Sequence, residues 1–122
     1  MDFEKLDVYK LAERMGNEIW KLVIHWKHFE KDTIGKQMVR SADSVGANIA
    51  EGTGRGTYLD NKRFVRMARA SLYETRHWLR RACHCGLINN TQSENINSLI
   101  DELSPRLNAY LKSIGTAKIR KN

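Results

Sequence analysis

The chain has 122 residues, 41% of them hydrophobic, and its 21 Lys and Arg outnumber 14 Asp and Glu for a net charge of +7. That length supports one domain with its own core, and no apolar run approaches the roughly 20 residues of a membrane-spanning helix. The charge excess points to polyanionic partners, while the lack of an apolar signal segment behind Met1-Asp2-Phe3-Glu4-Lys5 leaves the cytoplasm as the expected location, with no membrane partner.

Four segments place apolar residues at helical spacing. The first runs from about Asp7 to Trp26, with Val8, Leu11, Ala12, Met15, Ile19, Leu22, Val23 and Trp26 on one face and Asp7 as N-cap. His28-Phe29-Glu30-Lys31-Asp32 reads as a connection. The second segment runs from about Thr33 to Glu51, with Ile34, Met38, Ala42, Val45 and Ile49 as its stripe. Gly52, Gly54 and Gly56 then offer the left-handed backbone that closes a helix.

The third segment spans about Leu59 to Cys85, with Phe64, Ala68, Ser71, Leu72, Thr75, Leu79 and Ala82 facing one way and Gly86 as its stop. The fourth opens at Thr91, where Thr91 and Glu94 match a capping box. It continues through Ile96, Leu99, Ile100, Leu103, Leu107, Tyr110, Leu111 and Ile114 to Gly115. Pro105 lies inside it and should bend it near Asp101, whose carbonyl loses an amide partner. These helices and short links predict an all-α, antiparallel up-down-up-down four-helix bundle over residues 1–115. A basic tail, residues 116–122, carries Lys118, Arg120 and Lys121.

The most informative pattern is on the third helix. Lys62, Arg66, Arg69, Arg76 and Arg80 fall within roughly 40° of one line along it, with Tyr73 between them and the core positions expected on the opposite side. Arginine can grip two phosphate oxygens at once, and a tyrosine can stack on an unpaired base. A solvated face would mix acidic with basic residues, and this line holds no acid. Nucleic acid, RNA or DNA, is therefore the expected partner.

The second helix carries a small polar row, Gln37, Ser41, Ser44, Asn48 and Glu51. Small side chains allow close helix approach, so the row reads as a packing or interface feature, with Glu51, Glu74, Arg40 and Arg55 expected to form an ion-pair cluster around it. Cys83, His84 and Cys85, with His77, suggest a metal, but residues two apart on a helix point about 200° from each other. Gly52-Thr53-Gly54-Arg55-Gly56 lacks the Lys-Ser/Thr of a phosphate loop and follows a helix rather than a strand. No nucleophile–base pair accompanies any of these groups, so neither catalysis, a metal nor a cofactor is expected. An enzymatic alternative would need Glu51 and Glu74 to converge on a metal.

The run from Gln37 to Gly52, with Asn48-Ile49-Ala50-Glu51-Gly52 at its end and Gly54-Arg55 after it, resembles the signature of the bacterial four-helix-bundle proteins encoded in intervening sequences of 23S ribosomal RNA genes. Phe3-Glu4-Lys5-Leu6-Asp7-Val8-Tyr9 is similar to that family's start, and the stretch from Phe64 to Glu74 to its third helix, with Ala70 where the family commonly has Gly. The resemblance implies a ring-like homopentamer. It also implies kinship with accessory proteins of diversity-generating retroelements, which bind nucleic acid and associate with a reverse transcriptase. On that reading Gln37, Ser41, Ser44, Asn48, Glu51, Arg55, Ser71 and Glu74 serve packing or assembly, and the basic line meets the polyanion. The alternative is an adaptor whose basic face docks an acidic protein.

Overall fold

The computed structural model describes residues 2–115, all of whose regular structure is helical. The tail, with Lys118, Arg120 and Lys121, lies outside the described residues. After a 3-10 turn over Phe3–Lys5, four long helices follow: α1 (Asp7–Val23), α2 (Lys36–Thr53), α3 (Tyr58–His84) and α4 (Asn90–Ser113). Each packs on its neighbours in the chain, and α4 returns to α1, so the four enclose one core as a helical bundle. Met15, Ile19, Met38, Ile49, Leu72, Leu79, Ile100, Leu103 and Leu107 are fully or almost fully buried in it. No helix among the described residues is long and apolar enough to cross a membrane.

Several boundaries differ from the sequence expectation. Leu6 is the N-cap of α1, and Asp7 is its first helical residue with no side-chain cap bond. A carboxylate there still meets the positive end of the helix dipole. The expected connection at 28–32 is helical: a turn at His28–Glu30 runs through a π-helical segment, Lys31–Gly35, into α2. The Thr33 hydroxyl donates to the Phe29 carbonyl at 2.8 Å, and the Lys36 amide donates to the Lys31 carbonyl five residues back. Such side-chain competition for a carbonyl accompanies widened turns.

At α4 the capping box is Asn89 with Gln92, two residues earlier than expected. The Gln92 amide donates to Asn89 Oδ1 at 2.8 Å, and the Asn89 amide donates to Gln92 Oε1 at 2.9 Å. Ile88, immediately before, is anchored in the core, which fixes where the helix can start. Pro105 lies on an exposed part of α4, which stays helical from Asn90 to Ser113.

The glycines after α2 do not act as expected. Among the described residues only Gly86 (φ 74°) and Gly115 (φ 86°) adopt the left-handed conformation. Gly52 is a helical residue used for close approach. A Cβ there would lie 2.5 Å from Asn61 Oδ1, 3.1 Å from Phe64 Cβ and 3.2 Å from the Asn61 carbonyl. Alanine gains about 1 kcal/mol of helix propensity over glycine, whereas forcing α2 and α3 apart costs about 1–3 kcal/mol. Gly52→Ala is therefore expected to lower the thermal midpoint. A midpoint at or above the parent's in a circular-dichroism melt would show that the α2–α3 contact yields easily.

Candidate nucleic-acid interface

The basic line is held by α3, whose start is fixed by Thr57: its side chain accepts from the Asp60 amide at 3.1 Å. Phe64, Val65, Ala68, Leu72, Thr75, Leu79 and Ala82 form the buried face of the helix. At about 100° per residue, the basic line lies roughly a third of a turn from that face. It therefore flanks the core along the α4 side and does not stand opposite the core, as the sequence suggested. Arg69 Nη1 donates to Asn108 Oδ1 of α4 at 3.2 Å, and Arg76 Nη2 donates to Asp101 Oδ1 of α4 at 3.0 Å. The line holds no acid of its own, yet the fold supplies one.

Three cations of the line remain unengaged. Lys62, Arg66 and Arg80 have no ion pair or side-chain hydrogen bond among the described residues. Arg66 and Arg80 are exposed, Lys62 is half-buried, and Tyr73 keeps 60% of its surface open between them. From Lys62 to Arg80 the line extends roughly 27 Å at 1.5 Å per residue. Chemically this is a row of fixed and free cations with one accessible aromatic ring.

Of the polar row of α2, Ser41 meets α3. Ser41 and Thr75 are buried, with their oxygens 3.0 Å apart; Ser41 Oγ lies 3.1 Å from the Met38 carbonyl, and Thr75 Oγ1 lies 2.8 Å from the Ser71 carbonyl. Two hydroxyl protons thus serve a closed set of acceptors, which satisfies both side chains without water. Thr75, read from the sequence as a plain core position, is the partner of the polar row. Ser44 donates to the Arg40 carbonyl and Asn48 Nδ2 to the Ser44 carbonyl, both at 2.8 Å. Gln37 is half-buried.

The expected ion-pair cluster does not form as one group. Glu51 lies 3.9 Å from Arg55, one turn on, whereas Glu74 accepts from the Trp78 indole at 3.0 Å. Arg55 instead stands over the Phe64 ring at 5.2 Å, and Arg63 lies against the same ring at 5.3 Å. Arg40 is exposed and joins neither glutamate. Ser71 contributes its carbonyl to Thr75. The separate partners of Glu51 and Glu74 follow from their positions: each finds a neighbour four residues on, Arg55 just past the end of α2 and Trp78 on α3, before it can reach across.

No three His, Cys, Asp or Glu side chains gather to hold a metal among the described residues. Cys85 receives a long hydrogen bond, 3.7 Å, from Arg81, and the His77 ring packs edge-on to Trp78. On the far side of α2, burial pushes the Asp43 carboxyl up from its usual range beside the small residue Gly16. Sequence reading also missed a cation-rimmed apolar hollow at the α1–α2 seam, lined in part by Trp20, Lys36 and Arg40. Its signal was Trp20 itself, a large apolar residue off the buried stripe of α1.

A family model described as 23S rRNA-intervening sequence protein matches residues 4–109. A crystal structure of a protein of unknown function from the S23 ribosomal protein family of Bacteroides thetaiotaomicron VPI-5482 matches with a TM-score of 0.77 at 25% identity, covering 86% of this chain and 98% of that one. No curated protein matches the chain.

Proposed function

Because the chain belongs to the 23S rRNA-intervening sequence protein family, we propose that it is a non-catalytic, homo-oligomeric scaffold that binds RNA or DNA through the basic line of α3. The observation that carries this reading is the set of three unengaged cations, Lys62, Arg66 and Arg80, flanking an open tyrosine. Lysine and arginine that gain nothing from intramolecular pairing are free to replace the counterions of a phosphate backbone. Arg69 and Arg76 are anchored to α4 and hold the line straight, while keeping donors free on each guanidinium.

The finer parts of the proposal follow the family resemblance. The helices run up-down-up-down, and five subunits close into a ring. A ring repeats the line around one axis, so that weak contacts add through a shared ligand. A reverse transcriptase, as in the retroelement accessory proteins, is the candidate protein partner, and the cytoplasm is the proposed location. Phosphate contacts carry no base information, so sequence preference is expected to be slight.

The test is light-scattering mass together with RNA and DNA binding across a salt series. A five-subunit mass is expected. With five residues of the line engaged, the log–log salt slope per site should approach about −3.5 on single strands and −4.5 on duplex. A pentamer whose binding is absent at low salt would refute the nucleic-acid role and leave the assembly.

A further inference from the structure

The α1–α2 seam ends in a hollow of about 400 Å³ that the basic line does not use. Its walls are aliphatic: Val23 and Ile24 from the end of α1 and Val39 from α2, with Trp20 at the edge. Trp20 and Ile24 keep 55% and 42% of their surfaces exposed, which leaves two large apolar side chains facing water. Gly35 allows the close approach at the seam, because a Cβ there would lie only 2.7 Å from Val23 Cγ1.

Around this hollow the charge is mostly positive. Lys31, Lys36 and Arg40 line it, all exposed and without an ion pair among the described residues. Asp32 is the one acid in the lining, and His28 adds a further basic group. The π-helical turn arranges this: the backbone bond from Lys36 to Lys31 puts those two lysines on one side, and Arg40 follows one turn later.

We infer that the hollow is a docking site for an acidic amphipathic helix of a partner protein. One of that helix's apolar side chains fills the space between Trp20 and Val39, and its carboxylates meet Lys31, Lys36 and Arg40. The charge complementarity decides for an acidic segment, since a neutral or basic one would leave three cations unmatched beside it. The aliphatic walls favour an apolar anchor, and the competition with oligo-dT below tests a nucleobase in its place. Val23, Ile24 and Val39 suit the anchor residues of a helix laid into a groove, with the Trp20 indole closing one edge over an aliphatic side chain. The cyclic packing puts this seam across the bundle from the α3–α4 side, where Arg69 and Arg76 lie. The chain can therefore hold a protein on one side and a polyanion on the other, and the first contact does not depend on the second.

Two fluorescein-labelled peptides of about 18 residues test this, both with Leu at i, i+3, i+4 and i+7. One carries Glu and the other Lys at the remaining positions. The intact protein should bind the Glu peptide and not the Lys peptide by fluorescence anisotropy. Trp20→Ala, and separately Lys36→Glu with Arg40→Glu, should each weaken binding at least about 10-fold, as expected when a central anchor or a matched charge is lost. Arg66→Glu with Arg80→Glu should leave it unchanged. Ile24→Asn, at another exposed wall position, replaces Trp20→Ala if that variant loses helix content. The inference is overturned by equal binding of the Lys peptide, or by affinity indifferent to the wall variants. It is overturned too if oligo-dT displaces the Glu peptide competitively, since the hollow then takes nucleic acid. A drop in light-scattering mass on Trp20→Ala would also overturn it, because a second copy then covers the hollow.

Discussion

Arg66→Glu combined with Arg80→Glu should weaken RNA and DNA binding by about 100-fold at moderate salt and make the log–log salt slope shallower by about 2. These two residues are the right targets because they are exposed and have no partner among the described residues. Their loss removes phosphate contacts and adds two repulsive charges without opening a hole in the bundle. Arg69 and Arg76 would be poorer probes. Substituting them removes bonds to Asn108 and Asp101, so a binding defect could come from a shifted α4. The Arg76–Asp101 pair is itself exposed and contributes about 0–1 kcal/mol. Circular dichroism of the double variant should match the parent. Unchanged affinity with unchanged helix content would remove the basic line from the interface. Its tyrosine separates the kinds of ligand: Tyr73→Ala should cost about 1–3 kcal/mol on single strands, where a base can stack, and little on duplex.

The second large effect concerns stability. Leu103 is fully buried, two residues before Pro105 in α4. A proline inside a helix costs about 3 kcal/mol through its missing amide and the clash of its ring. The isolated α4 segment therefore has little reason to be helical on its own. Docking of Ile96, Leu99, Ile100, Leu103 and Leu107 into the core holds it in place. Leu103→Ala removes part of that docking and leaves a cavity, at a cost of about 2–5 kcal/mol. For a domain whose total stability is about 5–15 kcal/mol, this is a large fraction. The urea midpoint should fall markedly, whereas Leu103→Met, which nearly conserves volume, should cost under about 1.5 kcal/mol. A Leu103→Ala midpoint within error of the parent would mean that α4 is not held by this core.

The sequence by itself determined the helices and their buried faces. In α1, Val8, Leu11, Ala12, Met15, Ile19 and Val23 are all buried, as their spacing required. The same holds for Met38, Ala42, Val45 and Ile49 in α2. Periodicity is a local property: residues three and four apart share a face whatever surrounds the helix. The cationic line of α3 was legible for the same reason, as was the left-handed Gly86.

Only the tertiary structure decided which helix each face would meet. The sequence showed a line without acids, but Asp101 and Asn108 lie 25 and 39 residues beyond their partners Arg76 and Arg69. It showed Thr75 as a core position, but its neighbour Ser41 is 34 residues away. Gly52 looked like a helix stop because glycine serves both turns and close approaches, and only the position of Asn61 and Phe64 selects between them. The sequence placed the start of α4 at Thr91, and burial of Ile88 moves it to the capping box at Asn89. The hollow beside Trp20 exists because α1 and α2 cross there through a π turn and Gly35. Propensity and periodicity act over a single helical turn, whereas partners, cavities and surfaces are set by contacts between residues far apart in the chain.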